Sequence, residues 1–115
     1  MIEMQQITAI IRPEKLVEVR SALSNKGYPG ISITRIEGHG KQKGLTQQFR
    51  GGVYTIELIP KIKIDIVVRD EDVKGLVTTI MDAAKTGETG DGKIFVSPMT
   101  QVFRIRTGER DESAL

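Results

Sequence analysis

Residues 58–68 read LIPKIKIDIVV, in which Ile62, Ile64, Ile66 and Val68 alternate with Lys61, Lys63 and Asp65. A period of two puts the apolar side chains on one face of a strand and the charges on the other, which helical periodicity cannot do. The chain is thereby committed to a sheet with one buried face, and this strand, Leu58 to Val68, is its most strongly patterned member.

The other elements follow from the same reasoning. Ile7, Ala9 and Ile11 alternate with Thr8 and Ile10, predicting a first strand from about Gln5 to Arg12 with both faces apolar enough for a central place. Pro13 suits the first turn of a helix, Leu16, Val19 and Leu23 form its inward stripe, and Gly27 is placed to end it near Lys26. Tyr28, Pro29 and Gly30 turn the chain into a second strand, Ile31 to Glu37. Asp70 offers a helix cap, and Glu71 and Asp72 favour the positive end of that helix. Within it Val73, Leu76, Val77, Ile80, Met81 and Ala84 recur at amphipathic spacing. A fourth strand runs from Lys93 to Pro98, Val102 to Arg106 alternates like an extra strand, and residues 108–115 form a polar tail expected to fray.

The order β-α-β, loop, β-α-β with right-handed crossovers predicts an α+β, ferredoxin-like βαββαβ fold: an antiparallel sheet with two helices on one face. The open face then needs a cover. The isoleucines of the third strand and the apolar residues of the first are too many for two helices, so that face is expected to pack against sister subunits in a homo-oligomer.

Composition bounds what such a chain does. Its 115 residues, 38% hydrophobic and 28% charged, suit one domain spanning 1–115. Zero Cys removes disulfides and thiolate metal sites, and the single histidine, His39, argues against zinc. No stretch approaches the ~20 apolar residues of a membrane span, and a net charge of +2 is too small to imply nucleic acid.

Between the second and third strands runs GHGKQKGLTQQFRGGVY, Gly38 to Tyr54, with no strand or helix pattern of its own. Connections longer than about 12 to 15 residues are uncommon and usually functional or disordered. Five glycines free this one conformationally, and Lys41, Lys43 and Arg50 make it basic. An excursion of this length reaches roughly 30 Å from the body, enough to touch a large partner.

A second informative stretch is TGETGDGKIFV, Thr86 to Val96. Gly87 to Lys93 reads G-x-x-x-x-G-K, yet a helix precedes it and Ile94 opens a strand, the reverse of a Walker loop, which also needs Ser or Thr after the Lys. Three glycines still let backbone N–H groups converge on an anion, with Lys93 adding charge; the alternative is a helix end and a tight turn. Arg104 and Arg106, if on a strand, share a side about 7 Å apart, either to meet neighbouring phosphates or to defend an edge. Lys61 interrupts an apolar run at the root of the loop, and its alternative role is the polar face of an edge strand. Glu37, Glu57, Asp65 and Asp91 have no spacing that singles out an acid and a base, and no Ser has an evident base partner. Nothing demands catalysis.

Taken together, these residues resemble the PII signal-transduction proteins of the GlnB and GlnK type, a nitrogen regulatory family, from Met4 to about Glu109. The C-terminal signature T-x-x-x-G-D-G-K-I-F-V stands complete at Thr86 to Val96, and IIRPEKL, GxGxQKG, LIPKIKIDIVV and RIRTGE occur in the family's order. The resemblance implies a homotrimer with three intersubunit clefts, each binding ATP or ADP. Carried over by position, Ile10, Ser32, Gly38 and Val67 would hold adenine, and Gly87, Gly90, Asp91, Gly92, Lys93, Arg104 and Arg106 would form the phosphate side. Gly40 and Lys41 would join them, Lys41 standing where many members have Arg and keeping the charge without bidentate geometry.

For 2-oxoglutarate the resemblance implies that Gln42 meets Mg2+, Lys61 the distal carboxylate, and Lys43, Gly44 and Gly90 the remainder, in the presence of ATP. It also implies that residues 38–58 form a partner-binding loop whose Arg50 enters an ammonium channel, with glutamine synthetase or other nitrogen-metabolism proteins as further partners. The place of action would be the cytoplasm, reaching the inner face of the membrane only through a transporter. One departure concerns the modification signature, which here reads Phe49, Arg50, Gly51, Gly52, Val53, Tyr54 and differs at three of six positions. Gly52 excludes phosphorylation there, while Tyr54 keeps a hydroxyl that could be modified. Two other classes weigh less: an RNA-binding module lacks aromatics on strands one and three, and an ATP-hydrolysing enzyme lacks a Mg2+-binding Ser/Thr and a base.

Overall fold

The computed structural model describes residues 3–41, 48–49, 52–53 and 56–115. A four-stranded antiparallel sheet is ordered β2-β5-β1-β6, with β1 Met4–Ile11, β2 Ser32–Lys41, β5 Ile56–Arg69 and β6 Lys93–Pro98. Helices α1, Leu16–Asn25, and α2, Val73–Ala84, each begin with a single 3-10 turn, Pro13–Lys15 and Asp70–Asp72. Two short strands, β3 Gln48–Phe49 and β4 Gly52–Val53, pair with one another. The ferredoxin-like βαββαβ order is as expected.

Alternation in β5 does what its pattern dictates. Ile62, Ile64, Ile66 and Val68 are buried together with Ile7, Ala9 and Ile11 of β1, Val19 and Leu23 of α1, and Leu76, Ile80 and Ala84 of α2. Each fully buried Ile or Leu contributes about 1.5–3 kcal/mol. Met81, expected in the same stripe, is half-exposed. Gly27, at φ 91, ends α1, with the N–H of Tyr28 donating to Leu23 O at 3.0 Å. Asp70 caps nothing. Its carboxylate instead accepts from the Gln5 amide, and its N–H donates to Glu3 O at 2.9 Å.

The open face differs from expectation in chemistry. Because Ile7, Ala9, Ile11, Ile62, Ile64, Ile66 and Val68 share one side, two helices do cover them, and the other side carries their alternates, among which Ile10 and Val67 are apolar and the rest mostly polar. Thr8 lies opposite Asp65 in the register and donates to its Oδ1 at 2.6 Å, Gln6 Nε2 donates to the same oxygen at 3.1 Å, and Lys63 Nζ stands 3.9 Å from Oδ2. Ile10, Val67, Ile36 and the exposed Phe95 share that face with the polar cluster, so it offers a neighbour both apolar and polar side chains.

Three further expectations are corrected. Strand pairing runs into the connection that was expected to lack it: Gly38, His39, Gly40 and Lys41 pair with Ile59, Leu58, Glu57 and Ile56. Residues 102–106 form no strand, because the chain turns back on itself. Asp111 N–H donates to Val102 O at 2.7 Å, Val102 N–H donates to Asp111 Oδ1 at 3.2 Å, and Phe103 bridges Arg110. Residues 111–114 continue as a 3-10 turn where fraying was expected.

Candidate functional site

The turn joining α2 to β6 is organised by Asp91. Its carboxylate accepts from the Thr86 and Gly87 N–H groups, each at 2.9 Å, from the Thr86 hydroxyl and from Arg12 Nε at 3.1 Å. These donors, the Thr86 hydroxyl foremost, hold its carboxyl well below the usual range. Arg12 also donates through Nη2 to Thr89 O at 2.8 Å, so the end of β1 is pinned to the turn twice. Asp91, expected among the phosphate-side residues, thus spends its carboxylate on building the turn.

Gly92 explains why this turn needs glycine. At φ 106, a Cβ there would stand 1.7 Å from the carbonyl oxygen of Ile10, so the chain passes directly against β1. Gly87 and Gly90 also adopt positive φ. From β5, Lys61 Nζ donates to the Gly90 carbonyl oxygen. A Cβ on Gly90 would lie 3.3 Å from Arg12 Nη2 and 3.7 Å from Lys61 Nζ, so two cations flank one side-chain-free position. The N–H groups of residues 86–88 are committed to Asp91 and to the Thr86 hydroxyl, so they are not the ones that would meet an anion.

The expected residues fall into two groups. Gly87, Gly90, Asp91, Gly92 and Lys93 form the turn and the start of β6. Ile10 lies opposite Lys93, and the Cβ position of Gly38 is 3.6 Å from Lys61 Cγ. A second group surrounds a cavity of about 360 Å³ lined by Ser32, Val67, Val102, Ala114 and Leu115. Arg104, adjoining it, ion-pairs through Nη1 with Glu109 at 3.2 Å and donates through Nη2 to Leu115 O at 3.4 Å. Arg104 and Arg106 do not share the side of a strand, since residues 105–107 turn. Lys61 and Val67 occupy the same face of β5 about 20 Å apart, which separates the groups within one chain. Gly40 and Lys41 end the β2–β5 ladder. Gln42, Lys43, Gly44, Arg50 and Tyr54 lie outside the described residues.

Arg12 is the residue that sequence reasoning passed over. Preceding Pro13, it reads as the last residue of a strand; its role becomes visible only when the turn is brought to it from 77 and 79 residues away.

Residues 4–109 match the family model described as nitrogen regulatory protein P-II. The chain belongs to the P-II family. Over 115 residues it is 53% identical to nitrogen regulatory protein P-II 2 of Methanothermobacter thermautotrophicus, covering 100% of both chains. To nitrogen regulatory protein P-II 1 of Escherichia coli it is 49% identical over 112 residues, 97% of this chain and 100% of that one. A crystal structure of Arabidopsis thaliana PII bound to citrate superposes with a TM-score of 0.82 at 36% identity, covering 98% of this chain and 92% of the other. As a P-II protein the chain is a transducer of nitrogen signals. Among the described residues no helix is long and apolar enough to cross a membrane.

Proposed function

We propose that this P-II protein works by binding rather than by turnover. ATP or ADP is held between copies of the chain in a homotrimer, 2-oxoglutarate binds beside Mg-ATP, and the two together set the posture of the β2–β5 arms and the residues between them. The arrangement of Arg12 and Lys61 on either side of Gly90 carries this reading. A dianion requires concentrated positive charge and open backbone, and this cradle stands at the root of the arms. The turn with Lys93 takes the phosphates, and Ser32, Val67 and Arg104 of a neighbouring copy take the base and the remaining phosphate charge. The separation of the two groups along β5 favours a cleft shared between copies over one within a chain.

When bound, Mg2+ would draw oxygen ligands from the phosphates and the Gln42 side chain. The described cations suit the phosphates and the keto acid rather than the metal, so the residues present fit that division. The citrate held by the Arabidopsis relative is a polycarboxylate too, which agrees with a carboxylate site here. Partners are an ammonium transporter, through Arg50, and nitrogen-assimilation enzymes such as glutamine synthetase. The protein acts in the cytoplasm, touches the membrane only through the transporter, and has no nucleic-acid partner; Tyr54 is a candidate for modification.

Calorimetry with ATP, Mg2+ and 2-oxoglutarate, singly and together, tests the reading. The keto acid is expected to bind only when Mg-ATP is present. Binding of the keto acid to the bare protein, or no nucleotide binding at all, would overturn it.

A further inference from the structure

The Ser32–Val67 cavity is walled on one side by the chain's own Ala114 and Leu115. Their position is fixed by bonds and not by chance proximity. Asp111 adopts φ 55, a backbone conformation that costs a non-glycine residue about 1–2 kcal/mol, and it is held there by its two bonds to Val102. Phe103 is covered by the Arg110 guanidinium, 5.2 Å from the ring centre. The guanidinium of Arg104 is then engaged twice, by the Glu109 carboxylate and by the Leu115 carbonyl oxygen. Residues 109–112 read Glu-Arg-Asp-Glu, three carboxylates against one arginine, so the cation faces an acidic segment of its own chain.

We infer that residues 109–115 are a built-in competitor of the nucleotide: they line the space the base would enter and occupy the guanidinium the phosphates would meet. The inference rests on the nucleotide reading proposed above and adds regulation to that site. An arriving phosphate has to displace Glu109 from Arg104, and an arriving base has to share its cavity with Ala114 and Leu115. Nucleotide binding and docking of this segment are therefore coupled, each weakening the other.

The test compares ATP titrations by calorimetry on the unshortened chain, on a chain ending at Asp111, which keeps both bonds to Val102, and on Glu109→Gln, which keeps every backbone contact. Circular dichroism and light scattering confirm that each is folded and equally assembled. Both variants are expected to bind ATP more tightly, by roughly threefold or more, the scale of one exposed ion pair. Hydrogen exchange at the Val102 and Asp111 amides is expected to accelerate when ATP is added to the unshortened chain. Unchanged or weaker ATP binding in both variants overturns the competitor alone; absence of ATP binding in all three chains overturns the nucleotide reading and the competitor with it.

Discussion

Lys61 and Gly90 are 29 residues apart in sequence, and the ammonium of one donates to the carbonyl oxygen of the other. This bond joins β5, which carries the arm, to the glycine turn, and Arg12 braces the same turn from β1.

Lys61→Ala is expected to weaken 2-oxoglutarate binding by roughly 2 kcal/mol, about thirtyfold, the cost of losing a charge-assisted bond. ATP affinity should change far less, because Lys93 and Arg104 remain. Calorimetry of each ligand separates these effects, and an equal loss of both would show that Lys61 serves the fold of the turn alone.

Gly92→Ala forces a methyl group into the Ile10 carbonyl at a positive φ, and the expected loss of stability is about 2–4 kcal/mol. Gly87→Ala has the same backbone difficulty with nothing within 4 Å, and about 1 kcal/mol is expected. Denaturant midpoints at one fixed protein concentration test the ranking.

Asp91 has an acid signature. Folding lowers its pKa, so the stability it adds is complete above 3.8, the ordinary value, and drains away as pH falls below that. The thermal midpoint of the native chain should exceed that of Asp91→Asn at neutral pH, with the gap narrowing in acid. A gap that stays constant would mean that the charge on Asp91 contributes nothing.

Tyr28 behaves oppositely at the alkaline end. Burial, reinforced by the bond its hydroxyl donates to Asp72, pushes its pKa up to about 12. The neutral phenol is the stabilising form, so its contribution is complete below 10.0 and lost between there and about 12. Comparing thermal midpoints of the native chain and Tyr28→Phe across that window should show the native advantage disappearing.

The elements that sequence specified best are those in which periodicity and burial have one cause. β5 stands where its alternation puts it, and Leu76, Ile80 and Ala84 line the buried face of α2. Other parts depend on partners far along the chain. Gly38 to Lys41 have poor strand chemistry and become a strand because Ile56 to Ile59 supply the other half of the ladder. Val102 to Arg106 alternate as a strand does, yet Gly108 at φ 73 and the Val102–Asp111 bonds fold them into a turn. The turn of residues 86–93 was legible from its glycines, whereas Arg12, which braces it, carries no local signal.

The ladder between β2 and β5 outruns the rest of the sheet, since β1 stops opposite Ile62 while β2 remains paired as far as Ile56. Six residue pairs, from Ile36 and Lys61 to Lys41 and Ile56, therefore project as a two-stranded stem about 20 Å long. Such a stem is a lever with Lys61 at its fulcrum. A tilt of about 10° at that end sweeps the far end through about 3 Å, so under the proposed function a small carboxylate settling at the pivot would be amplified into a displacement that a docked protein would feel.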